Sequence, residues 1–163
     1  MIKYAGIGSR ETPMPIMQHM ELIGSLLGAR GFELRSGQAK GADTAFEVGC
    51  KAVNGAKTIR TASIGPLVDG RRIWMDHAVM FHPVWPTLTE GAQYLMARNS
   101  AIMLGDRLND PVSFVVCWTN GGGAVGGTGQ ALRIAAACGI PVFNLWFSDA
   151  TDRMWQFIAE GGL

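Results

Sequence analysis

Six glycines stand within nine residues at positions 121–129. An apolar run at 112–118 precedes them and an alanine-rich stretch at 131–138 follows, which reads as strand, loop and helix. This is an arrangement that holds a phosphate. Glycine lets backbone N–H groups come close to an anion, and the unpaired N–H groups and dipole of a helix's first turn favour negative charge there. Gly126, Gly127, Thr128 and Gly129 are the candidate donors. A long surface loop needing unusual backbone angles has the same composition, but so many glycines exceed what a connection requires.

Two earlier loops have the same character. After an N-terminal strand, Gly8 and Ser9 offer backbone and hydroxyl donors, and Arg10 brings a planar fork that suits an anion or simply a solvated surface. After a second strand, Ser36, Gly37, Lys40 and Gly41 suit a phosphate. Asp43, near a helix start, either meets a sugar hydroxyl or charges the helix N-terminus. Arg98 and Asn99 adjoin late on an apolar helix, where a ligand, a salt bridge or a surface amide each account for them.

Other chemistries lack their residues. A dehydrogenase-type dinucleotide site needs an acidic residue at the end of the second strand, and Arg35-Ser36-Gly37 stands there. Walker spacing, a Gly-x-Ser-x-Gly elbow and a Cys/His dyad are absent from the sequence. His19, His77 and His82 do not have metal-site spacing, and neither metal nor cofactor is expected. Trp74, Phe81, Trp85 and Trp118 are able to stack on a base, although core packing suits most of them better.

Alternating elements must position these loops. Residues 2–7 read as a strand, and Pro13 and Pro15 open a helix over about 14–30 whose Ile16, Met20, Ile23, Leu26 and Leu27 recur at helical spacing. Residues 32–35 and 57–60 read as strands around a helix at about 42–53. The stretch 62–86 is weaker, with helical character over 67–81 interrupted by Gly65-Pro66, Gly70 and His82-Pro83. Thr87-Leu88-Thr89-Glu90 has capping-box spacing for a helix ending at Leu104. Residues 112–118 and 141–146 supply the last strands, and Ser148-Asp149 opens a helix to about Glu160. This alternation predicts an α/β fold: a three-layer, Rossmann-like, doubly wound and mainly parallel sheet in one domain spanning 1–163. With the first strand beside the fourth, the three glycine loops converge in one crevice at the switch point.

A chain of 163 residues that is 48% hydrophobic builds a real core and is not a disordered one. A net charge of +1 gives no global pull toward nucleic acid or membrane. Lys40, Arg35, Arg60, Arg71, Arg72 and Arg98 remain as a candidate local patch. Cys50, Cys117 and Cys138 are an odd set without C-x-x-C spacing, which predicts free, mostly buried thiols and a reducing cytoplasm. No signal core opens the chain and no apolar run is long enough to span a bilayer, so no membrane partner is expected.

Taken together, Gly6-Ile7-Gly8-Ser9-Arg10, Ser36-Gly37-Gln38-Ala39-Lys40-Gly41-Ala42-Asp43-Thr44-Ala45, Ala97-Arg98-Asn99, and Gly126-Gly127-Thr128-Gly129 through Pro141-Val142-Phe143 resemble the DNA-processing protein A family. More broadly they resemble the Rossmann-like superfamily shared with the LONELY GUY phosphoribohydrolases, once labelled lysine decarboxylases. The likeness is strongest to compact, stand-alone, often phage-encoded members. It covers nearly the whole chain and is weakest over 62–86.

The resemblance implies a nucleotide-type ligand held by these loops, a homo-oligomer, and a bacterial or phage-infected cytoplasm. Full-length DNA-processing proteins bind single-stranded DNA and load a recombinase. The phosphoribohydrolases cleave an N-glycosidic bond with a glutamate, and aligning Gly127-Thr128 with their Gly-Thr places Ala131 at that position. Asp43, Glu47 and Glu90 are the available substitutes, and no catalytic residue is assigned. The expectation is therefore a nucleotide-binding sensor or sequestering protein. A recombination mediator and a nucleotide N-glycosidase stand as the alternatives.

Overall fold

The computed structural model describes residues 1–62 and 72–162. In chain order it holds β1 (Lys3–Gly6), α1 (Met14–Ala29), β2 (Glu33–Ser36), α2 (Ala42–Ala52), β3 (Lys57–Ile59), α3 (Arg72–Ala78), α4 (Glu90–Leu104), β4 (Phe114–Cys117), α5 (Gly126–Cys138), β5 (Val142–Asn144) and α6 (Ala150–Ala159). The strands form one five-stranded sheet in the order β3-β2-β1-β4-β5, and every pairing is parallel. This is the α/β, doubly wound architecture that the alternation predicts.

Side-chain alternation along the strands feeds two cores. Tyr4, Phe114 and Val116 point to the face covered by α1, α2 and α6, where Tyr4 stacks on Phe114 at 5.7 Å. Ala5, Val115 and Cys117 point to the opposite face, against Ile102 and Met103 of α4 and Ile134 of α5. Residues buried on both faces need no polar alternation, which is why β4 reads as a continuous apolar run. A third cluster joins Trp74 and Ala78 of α3 to Met96 and Ala101 of α4.

Several boundaries differ from the sequence reading, each for a local reason. The helix after the glycine loop starts at Gly126, earlier than the alanine-rich stretch at 131–138. Val125 O accepts the Gly129 N–H at 2.9 Å and Asn99 Nδ2 donates to Gly127 O at 2.9 Å, so tertiary contacts override the poor helix propensity of glycine. Thr89, not Thr87, caps α4 by accepting the Ala92 N–H, while Thr87 closes a 3-10 turn and bonds Val84 O. Asp149 at the head of α6 makes no side-chain cap, and faces Arg153 at 3.6 Å instead. Of the helical character read over 67–81, Arg72–Ala78 is helix and Val79–Phe81 a 3-10 turn. Positions 67–71, with Gly65-Pro66, Gly70 and Arg71, lie outside the described residues.

Candidate functional site

The β1–β4 pairing runs past the formal strand ends. Ile7 N–H donates to Val116 O at 3.2 Å and Ser9 N–H to Trp118 O at 3.0 Å. Beyond Ser9 the two chains diverge, one toward α1 and the other into the glycine loop, and a cavity of about 500 Å³ opens between them. This is the switch point where successive crossovers leave on opposite faces of the sheet. Gly8, Ser9 and Arg10 line it from the first loop, Ala39 and Asp43 from the second. Arg98 and Asn99 line it from α4, and Gly126, Gly127 and Thr128 from the head of α5. The three loops converge.

Asp43 is the polar centre of the second loop. It is 2% exposed. Its Oδ2 accepts the N–H groups of Gly37 at 3.0 Å and Ala39 at 3.4 Å, and the Gly8 N–H is near enough to favour the carboxylate's charge. One side chain therefore fixes the first loop against the second. Burial pushes its pKa up, and Arg98 and the backbone donors oppose that push.

Arg98 and Asn99 bridge two loops from one helix. Arg98 Nη1 donates to Gly37 O at 2.9 Å, while Asn99 Nδ2 reaches Gly127 O. The guanidinium lies over Gly37, where a Cβ would collide with it and push it aside. Arg98 Nε is buried and finds no acceptor among the described residues. Its charge is felt by Arg10, an exposed side chain on the same cavity that has no ion-pair partner among the described residues. Ser9 Oγ accepts the Glu11 N–H at 3.0 Å, which leaves its own O–H to donate. At the opposite wall, α5 has neither a side-chain cap nor an acidic residue in its first turn, so the dipole there is uncompensated.

Other residues singled out from the sequence support the cavity without lining it. Ser36 is fully buried and its Oγ donates to Gly6 O at 2.6 Å, stapling β2 to β1. Gly37 is the seat of Arg98, and Gly41 sits at the head of α2 beneath Ser9 and Arg10. Gly129 is buried against Ala124. Lys40 is exposed and points elsewhere than the cavity lining.

The cavity also includes residues that the sequence did not single out: Glu11, Leu95, Met96, Thr119, Asn120 and Val125. Glu11 is adjacent to Arg10 in the first loop, and position alone was the available signal. Among the carboxylates weighed as substitutes for the missing glutamate, Asp43 alone lines the cavity. Glu47 pairs with Lys57 at 2.6 Å and Lys51 at 2.9 Å, and Glu90 bonds the Tyr94 hydroxyl. Ala131 is wholly buried in the core.

Of the cations considered as a patch, Arg35 is 3% exposed and bound to Asp110, and Arg60 pairs with Asp106 at 2.7 Å. Trp74 and Trp118 are core residues, and Phe81 and Trp85 pack against the core margins. Cys50 and Cys117 are buried and Cys138 is exposed, all three as free thiols. No helix among the described residues is long and apolar enough to cross a membrane. Compared with known proteins, the chain matches no family model, no curated protein and no solved structure.

Proposed function

We propose that the protein binds a nucleotide or a nucleotide-derived phosphate in the cavity between the β1 and β4 exits, and acts as a sensor or sequestering protein. The observation that carries this reading is Arg98, held over Gly37 in the cavity lining, with Arg10 and the uncapped first turn of α5 on the same cavity. Two guanidinium groups facing one cavity repel each other, and an anion between them relieves that repulsion through charge-assisted hydrogen bonds, which phosphate accepts with high strength. Arg10 and the first turn of α5 add positive potential from two other sides, and Leu95, Met96 and Val125 give an apolar wall for a base. The likeness of the loop motifs to the DNA-processing protein A superfamily points the same way.

A second reading, N-glycosidic hydrolysis, is favoured by one observation: two carboxylates, Glu11 and Asp43, line the cavity although Ala131 cannot act. Cleavage needs a carboxylate to steady the oxocarbenium-like sugar or to activate the attacking water. Mass spectrometry of nucleotides incubated with the protein, monophosphates and ADP-ribose-like compounds included, separates the two. A nucleotide recovered intact in the protein-bound fraction is the expected result. Free base accumulating with time transfers the function to the hydrolase, with Glu11→Gln as the variant to abolish it. If neither bound nucleotide nor free base is found at millimolar ligand, the nucleotide reading falls.

A further inference from the structure

The sheet's outer edge beside the cavity carries an aromatic pair that neither the core nor the cavity uses. Trp146 is 46% exposed and Phe147 is 49% exposed, directly after β5. They leave the sheet early because β5 stops at Asn144, whose side chain turns back into the loops. Asn144 Oδ1 accepts the N–H groups of Thr119 at 3.3 Å and Trp146 at 3.1 Å. Its Nδ2 donates to Thr119 Oγ1 at 2.7 Å and to Gly122 O at 3.3 Å. One buried amide thus bolts a cavity-lining residue, the glycine loop and the aromatic pair into a single unit.

The rings rest on the glycine loop itself. A Cβ at Gly122 would stand 2.6 Å from Phe147 Cζ and 2.9 Å from Trp146 Cδ1, so the loop is cut to fit them. From beneath, Trp118 supports Trp146 with ring centroids 5.9 Å apart. Between Asn120 and Val125, both in the cavity lining, the chain reads Gly121, Gly122, Gly123, Ala124, with no side chain larger than a methyl. Two half-exposed rings held by backbone and a buried amide are pre-organised for stacking, since little entropy is lost when a flat partner arrives.

We propose that Trp146 and Phe147 form a second, ring-stacking subsite of the same binding site, and that the ligand is a two-ring nucleotide: one nucleoside in the cavity, a phosphate linker across the glycine loop, and a second base on the ridge. The proposal rests on the cavity reading above and specifies the class of ligand it takes. Asn144 is then a positioning residue that sets the ridge relative to the cavity.

Matched ligands test it: AMP, ADP and diadenosine diphosphate, with the guanine series alongside, titrated by calorimetry and by tryptophan fluorescence. ADP and the two-ring compound share the diphosphate, so a difference between them reports the second ring. The two-ring ligand is expected to bind at least about tenfold more tightly than ADP and to quench Trp146, in keeping with base stacking on exposed aromatics. The Trp146→Ala/Phe147→Ala double variant should bring it down to the ADP level while leaving ADP binding unchanged, and Trp146→Phe should retain most of the gain. Equal affinity for ADP and the two-ring ligand in the wild type overturns the second subsite and leaves the cavity reading standing. Equal losses for both ligands in the double variant also overturn it, by making the ridge part of the cavity's fold. No binding of any of the three, in either base series, removes both proposals. Quenching by a ten-nucleotide single strand without any by the two-ring ligand reassigns the ridge to nucleic acid and overturns the proposal as stated.

Discussion

Two replacements of Asp43 separate what its oxygens do from what its charge does. In Asp43→Ala, the N–H groups of Gly37 and Ala39 lose the oxygen they share. The site is 2% exposed, so water does not take over. Each orphaned donor costs about 1–3 kcal/mol, with the longer Ala39 bond at the low end, for a total of about 2–4 kcal/mol. Asp43→Asn keeps an oxygen for Gly37 and Ala39 but removes the charge that strengthens both bonds, a loss of about 1–2 kcal/mol. It also removes a charge that burial disfavours, so the net loss near neutral pH falls to about 1 kcal/mol or less.

The pH dependence of that difference has a definite sign. Burial holds the folded-state pKa of Asp43 above its usual 3.8, so the folded protein binds this proton more tightly than the unfolded chain does. The associated stability is fully present in acid and is lost as pH climbs from the unfolded value through the folded one. Asparagine has no such loss. The gap between wild type and Asp43→Asn should therefore shrink as pH rises from about 4 to about 7. Urea denaturation followed by tryptophan fluorescence at both ends of that range measures it. A gap that widens instead would mean that Gly37, Ala39, Gly8 and Arg98 outweigh burial, and the reasoning about Asp43 would be wrong.

Two further outcomes follow from the same geometry. Gly37→Ala pushes a Cβ into the Arg98 guanidinium and should displace it from Gly37 O, lowering affinity for the phosphate ligand at least about tenfold at a stability cost of only about 1–2 kcal/mol. Calorimetry on the folded variant decides it, and unchanged affinity counts against Arg98 as the anion's partner. In the native protein a disulfide reagent should modify Cys138 quickly and leave Cys50 and Cys117 until unfolding, since burial lifts the Cys117 thiol to about 12. A second fast thiol in stopped-flow labelling would contradict the packing around the sheet.

The fold was legible because each strand and helix announces itself locally, and right-handed crossovers leave few ways to assemble them. The cavity's glycines were legible because they cluster at strand-to-helix junctions, whereas Arg98, inside α4, had a salt bridge or a ligand as equal explanations until the structure set it over Gly37. What the sequence hid depends on contacts between distant segments. Nothing local says that Asn144 turns inward to meet Thr119, so Trp146 reads as strand rather than as an exposed ring. Glu11 reads as an ordinary loop carboxylate until β1 and β4 part around it. Arg35 and Arg60 read as free surface charge because their partners, Asp110 and Asp106, lie far along the chain.

The strand order also has a consequence for how the chain is made. β1 pairs with β2 soon after both have left the ribosome, but its other edge waits for β4, where Tyr4 meets Phe114. During that interval β1 presents an open edge of unpaired backbone groups, a template for joining nascent chains to one another. The cavity lies astride this late seam, with walls from the early-made loops and from α4 and α5. On the proposed function, a ligand there would arrive after folding is complete and act as a clasp on the last joint to close. Its main effect is to slow reopening rather than to speed assembly. In a cell, an occupied molecule would then outlive an unoccupied one, and ligand supply would be written into the protein's abundance.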